Sequence, residues 1–230
     1  KTGKTIVIPL TDDLRELTLN AGDLNIGAAW EGLNQLPYEK KEDLLIIRLM
    51  RPIKSNEKRT ISIYYHGTPR YGIRFFPEQN QVYTIFSTSQ WMPCVDSPED
   101  RARFRVRLDL PNLDLTTVAN GSLRKRYSST DKKIQSTFWE QAIPVPSYLF
   151  GFAAGQFRET KEIYRETVFR YLAPPPFSET EVKKIFRDTA GMLDFFESKA
   201  GVKYPRKIYT QVLAAGNAQQ EIDGFAVMNE

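Results

Sequence analysis

One carboxylate near the end of this 230-residue chain has unusual neighbours: Glu221, in the stretch LAAGNAQQEIDGFAVMNE. It stands between the amides Gln219 and Gln220 and the apolar Ile222, just ahead of a glycine and a short apolar run. Taken alone, a lone acid in such a loop is a solvated group paired to a nearby Lys or Arg, and it contributes little to stability. The single histidine, His66, ends the alternating stretch ISIYYH and reads as a strand-end surface residue. No G-x-S-x-G nucleophile motif accompanies it. One histidine cannot build H-E-x-x-H or any multi-histidine metal site, so histidine-based zinc chemistry within these residues is excluded. The one cysteine, Cys94, excludes a disulfide framework and a thiolate zinc cluster. In WMPCVDSP, Cys94, Asp96 and Pro98 read as a buried thiol, a loop-capping acid and a turn proline, and Trp91 as packing.

Composition narrows the class further. Hydrophobic residues make up 41% and charged residues 26%, ordinary for a globular protein able to bury a core. No apolar run approaches the roughly 20 residues of a membrane span. The opening KTGKTIVIPL is too short in apolar residues for a signal peptide. The net charge of +4 comes from 32 basic residues against 28 acidic ones, with the signs interspersed. Nucleic-acid binding would want basic residues interleaved with aromatics on one face, and the sequence shows none. The densest basic stretch, SLRKRYSSTDKK, reads as the solvated tip of a hairpin.

These candidate groups need elements to hold them. Up to residue 157 the chain reads as β structure: KTIVIPL, DLLIIRLM, RTISIYYHG, RARFRVRLDL, KIQSTFWEQ and PSYLFGFAAGQF, divided by turn chemistry. In RARFRVRLDL, Phe104, Val106, Leu108 and Leu110 alternate with Arg103, Arg105, Arg107 and Asp109, so one face is buried and one is wet. Such strands predict an antiparallel β-sandwich or saddle-like sheet pair over residues 1–157. Pro174–Pro176 form a stiff connector. Ser178 and Glu181 then make a capping box. Val182, Ile185, Phe186, Met192, Leu193 and Phe196 follow at helical spacing, predicting one helix over 178–200 that ends at Gly201. RKIYTQVLA and GFAVM read as strands flanking the stretch that holds Glu221. The fold class is therefore mainly β, with an α+β second part over residues 158–230.

Four stretches, in order, resemble one family. WMPCVDSPEDRARFRVRLDLP resembles the W/F-x-P-C-x-D-x-P segment of the M1 zinc aminopeptidases. VANGS resembles their ALSNM, and IPVPSYLFGFAAGQF resembles MSTYLVAFVVGDF, the last strand of their N-terminal β domain. FFESKAGVKYPRKIYTQVL resembles FYEDYFGIPYPLPKLDLVAVP, which opens their thermolysin-like catalytic domain. On this resemblance, residues 1–157 correspond to most of the N-terminal domain and 158–230 to the beginning of the catalytic one. The family's G-x-M-E-N exopeptidase motif falls on Ala218–Ile222, reading A-Q-Q-E-I, with Asp223 in a Trp place. Glu221 keeps the acid while its neighbours change.

The resemblance implies a role for that acid. An aminopeptidase must recognise a free α-ammonium, and a partly desolvated carboxylate supplies a charge-assisted bond of about 1.5–3 kcal/mol. A blocked N-terminus would leave the carboxylate buried and unpartnered, which is the source of selectivity. Gln220, Gln219 and Ala218 would line an extended peptide by strand-like pairing. A second amine-binding acid of the family falls on Thr84, which hydrogen-bonds but cannot neutralise. The family's H-E-x-x-H and third zinc ligand follow the exopeptidase motif and have no counterpart in these residues. The expectation is a fragment of a zinc aminopeptidase, without zinc or activity of its own, acting on peptides with free N-termini and open to self-association through an unfinished sheet edge. The rival expectation is a non-catalytic scaffold relative.

Overall fold

Alternating apolar residues leave the chain no stable option but paired strands, and the computed structural model shows how they pair. It describes residues 3–4, 14–54, 56–111 and 114–229. The expected KTIVIPL strand lies outside the described residues apart from Lys4. The chain forms two compact units: Lys1–Arg74 with Thr84–Arg103 and Ile143–Phe150, and Phe75–Tyr83 with Phe104–Ala142 and Gly151–Glu230.

In the first unit, one sheet orders Gly3–Lys4, Ile61–His66, Asn25–Glu31 and Asn34–Leu36; a second orders Leu14–Asn20, Leu44–Ile53 and Tyr38–Lys41. All these pairings are antiparallel. Leu17, Leu19, Leu45 and Ile47 of one sheet and Ala29, Leu36, Ile61 and Ile63 of the other share a single buried cluster. That is the sandwich arrangement the alternation predicts. His66 is exposed at its strand end. Cys94 is fully buried, its backbone bridged to Asn20 by hydrogen bonds of 2.8 and 2.9 Å. The carboxylate of Asp96 accepts from Ser89 Oγ at 3.3 Å. The PCVDSP stretch is thus a structural corner.

Along Arg101–Pro111, Phe104 and Leu108 are buried while every Arg is exposed. The basic stretch departs from expectation. Ser122–Ser128 is itself an edge strand, paired antiparallel with Ile134–Pro146, so Arg124, Lys125 and Arg126 lie along a strand and only residues 129–133 make the tip. Each of the seven residues of that strand is exposed, which leaves no alternation to read.

The sheet that concerns the candidate site begins at Arg158. Its order is Arg158–Tyr164, Thr167–Ala173, Ile208–Ala214, Phe225–Asn229 and Gln220–Ile222. The outer pairs are antiparallel and the two inner pairs parallel. Parallel neighbours need crossovers, and the first is helical. The capping box at Ser178 forms as predicted, with Glu181 bonded back to the Ser178 backbone at 2.8 Å. Glu179 pairs with Lys183 at 2.6 Å. Gly201 closes the helical segment at φ +69°, the left-handed cap glycine adopts readily.

The expected single helix is instead two, Glu179–Ile185 and Thr189–Ala200. Phe186 turns inward and stacks on Tyr171 with ring centroids 4.7 Å apart, and the Thr189 hydroxyl caps the Phe186 carbonyl at 2.8 Å. Burying one aromatic therefore outweighs continuing the helix. The second helix leaves Met192, Phe195 and Phe196 exposed, contrary to the buried stripe its spacing suggests.

Candidate functional site

Glu221 lies in a strand of three residues, Gln220–Ile222, which the sequence reads as loop. The strand forms because Asp223 and Gly224 turn the chain straight back: Ile222 pairs with Phe225, Glu221 with Ala226 and Gln220 with Val227. Gly224 takes φ +94°, which a residue with a Cβ adopts only under strain. Side chains then alternate, with Gln220 and Ile222 buried and Glu221 exposed.

Register fixes which face Glu221 shares. Its row across the sheet runs through Ala226, Gln211 and Tyr171. Tyr171 on that face is covered by Phe186, and Gln211 accepts from Thr189 Oγ1 at 2.8 Å. This is the helix-bearing face, closed at Tyr171 and open at Glu221. Burial, and then the charge of Glu221, push the Tyr209 phenol above its ordinary value. Tyr209 meets Tyr204 edge to face at 5.8 Å.

The segment that carries Glu221 is pinned at both ends. At its start, Ala215 is held through both backbone groups: its N–H donates to Gln81 Oε1 and its carbonyl accepts from Tyr83 Oη, each at 2.8 Å. Gly216, at φ +97°, follows so closely that a Cβ there would fall 2.6 Å from the Phe76 ring. At its end, the Asp223 carbonyl accepts from Asn120 Nδ2 at 3.3 Å. The Asp223 carboxylate accepts from both Gln141 Nε2 and Arg206 Nη2. Arg206 also donates to Gln141 Oε1 at 3.3 Å, which closes a triangle of three side chains. Asn120, fully buried, accepts at the same time from the Gly151 N–H at 2.7 Å. None of these anchors is evident in sequence, apart from Asn120 in the VANGS stretch.

Four of the predicted site residues follow one another on this segment. Ala218 is half-buried, and Gln219 is exposed with its amide on Asn229 Oδ1. Gln220 is buried beneath the strand that Glu221 tops. Thr84 belongs to the first unit and is 1% exposed, a packed residue at the end of Gln81–Thr84. Among the described residues the pocket implied for Glu221 is not closed over its side chain. Nor does any group of three or more His, Cys, Asp or Glu among them have the arrangement of a metal site, so these residues do not fit a zinc ion. No helix is long and apolar enough to cross a membrane.

The profile of the peptidase M1 N-terminal domain matches residues 1–149. The chain belongs to the M1 peptidase family. It is 25% identical to human glutamyl aminopeptidase over 136 residues, covering 56% of this chain and 14% of that protein. It is 23% identical over 145 residues to transcription initiation factor TFIID subunit 2 of Drosophila melanogaster, covering 62% and 11%. The crystal structure of an M1 zinc metallopeptidase from Deinococcus radiodurans superposes with a TM-score of 0.79 at 22% identity, over 95% of this chain and 53% of that one. The chain thus spans about half of that solved structure and a smaller share of the curated relatives.

Proposed function

We propose that this chain is the substrate-amine-binding portion of a zinc-dependent aminopeptidase, a hydrolase that removes N-terminal residues from peptides. In this reading residues 1–157 are the N-terminal β domain and 158–230 the opening of the thermolysin-like catalytic domain. The observation that carries it is the placement of Glu221. A carboxylate stands on the open end of a sheet face, on an edge strand whose segment is anchored at both ends, where the sequence resemblance puts the exopeptidase motif.

The chain's own residues supply recognition. Glu221 receives the protonated α-amine by a charge-assisted bond, and the backbone edge of Gln220–Ile222 pairs with an extended peptide. Buried Gln220 and tethered Gln219 keep that edge straight. Zinc belongs to the parent protein, held by residues outside this chain, and the 230-residue chain by itself does not hydrolyse peptides.

The test is binding. A dipeptide amide with a free amine should perturb the Glu221 and Ile222 amide signals of the purified chain, and its N-acetyl counterpart should not. Loss of that preference in Glu221→Gln is the expected result; an unchanged preference rejects the assignment. A second reading, a non-catalytic M1-like scaffold, draws on the altered A-Q-Q-E-I motif and on the similarity to the TFIID subunit. An H-E-x-x-H downstream in the native reading frame favours the enzyme, and its absence there favours the scaffold.

A further inference from the structure

Sequence separation makes the triangle at the Asp223 turn unusual. Gln141 comes from a strand 82 residues upstream and Arg206 from the connection before Ile208–Ala214, yet both donate to one carboxylate oxygen of Asp223. Gln141 is 0% exposed, and the side chains of Arg206 and Asp223 are 19% and 20% exposed. A buried amide satisfied on both sides by a charged pair is costly to break, because each remaining partner would be left desolvated and unpaired. The turn has two residues, so any shift of Asp223 moves Glu221 directly. Phe225–Asn229 is held in the sheet by its pairing with Ile208–Ala214, but the three-residue edge strand Gln220–Ile222 has a paired neighbour on one side only. The side chains that grip its turn add to that single pairing.

We infer that Asp223, Arg206 and Gln141 are positioning residues that fix where the Glu221 carboxylate stands, so that selectivity for a free amine depends on a charge pair that does not touch the substrate. This rests on the amine-binding reading above. Misplacing a binding group by about 1 Å is enough to lose most of its contribution.

The experiment uses the 230-residue chain and its Asp223→Asn, Arg206→Gln and Arg206→Lys variants, with Ser178→Ala as a control for general destabilisation. Two readouts are taken: hydrogen exchange at the Glu221 and Ile222 amides, and the ratio of responses to L-alaninamide and N-acetyl-L-alaninamide. Faster exchange together with a ratio lowered about fivefold or more in Asp223→Asn and Arg206→Gln, partly restored in Arg206→Lys and unchanged in Ser178→Ala, is the expected result. An unchanged ratio in Asp223→Asn or Arg206→Gln overturns the inference. Should Asp223→Asn fail to fold, the two Arg206 variants decide. If the parent chain shows no amine preference while exchange still quickens, the amine reading fails and the functional half of the inference falls with it.

Discussion

The Tyr83 hydroxyl donates to the Ala215 carbonyl at 2.8 Å, joining residues 132 positions apart in the chain. The ring is 1% exposed and stacks on Phe76 with centroids 5.6 Å apart. This bond, with that of Gln81 to the Ala215 N–H, sets where the Glu221 segment begins.

Tyr83→Phe keeps the ring and strands a buried carbonyl. The expected cost is about 1–3 kcal/mol, read as a lower denaturation midpoint at constant slope. A midpoint equal to that of the parent chain would show that the bond carries no net stability.

Gly121 has little room for a side chain. It takes φ +80°, and a Cβ there would lie 2.0 Å from the Glu140 carbonyl oxygen. Gly121→Ala is expected to destabilise by at least about 2 kcal/mol through strain and overlap. Thermal unfolding followed by circular dichroism measures it, and a melting temperature within a degree of the parent's contradicts the geometry.

The Glu221–Tyr209 relationship can be read by titration. Burial raises the Tyr209 phenol first and the nearby Glu221 charge raises it further. Glu221→Gln should therefore lower the Tyr209 pKa while leaving it above the ordinary value near 10, because burial remains. Carbon-13 detection of the tyrosine ring follows this. A Tyr209 titration identical in both proteins would place the two groups apart.

The capping box gives a pH dependence of known sign. The Ser178 hydroxyl first, and the Ser178 backbone N–H second, hold the Glu181 carboxyl below the usual carboxylate range. A depressed folded value stabilises above the unfolded pKa of about 4.3, and that gain fades as pH falls through the folded value. Ser178→Ala should cost about 1 kcal/mol at neutral pH and flatten the acid limb of the stability curve. Denaturant midpoints collected from pH 7 to pH 3 test both effects. Parallel curves for the two proteins would exclude the linkage.

Much of this architecture was legible because single elements declare themselves. Phe104 and Leu108 between exposed arginines announce a half-buried strand, and Ser178 with Glu181 announces a helix start. Thr167–Ala173 is less plain, since Leu172 and Ala173 are both buried and the alternation of its first five residues stops there. The break at Phe186 has no Pro or Gly to mark it; it follows from an aromatic stack made only in the folded chain. For the site, the acid and its segment came from motif resemblance, and the strand at Gln220–Ile222 was too short and polar to read. Gln81, Tyr83, Gln141 and Arg206 were invisible for a different reason. Their partners lie 17 to 134 positions away, and no local pattern encodes a contact of that span.

Met192, Phe195 and Phe196 leave a greasy ridge along the second helix. The two phenylalanines are 56% and 65% exposed. Such a ridge governs handling before it governs biology. The purified chain should brighten a naphthalene-sulfonate dye in its native state and salt out early in ammonium sulfate, and replacing both phenylalanines with serine should suppress the two behaviours together.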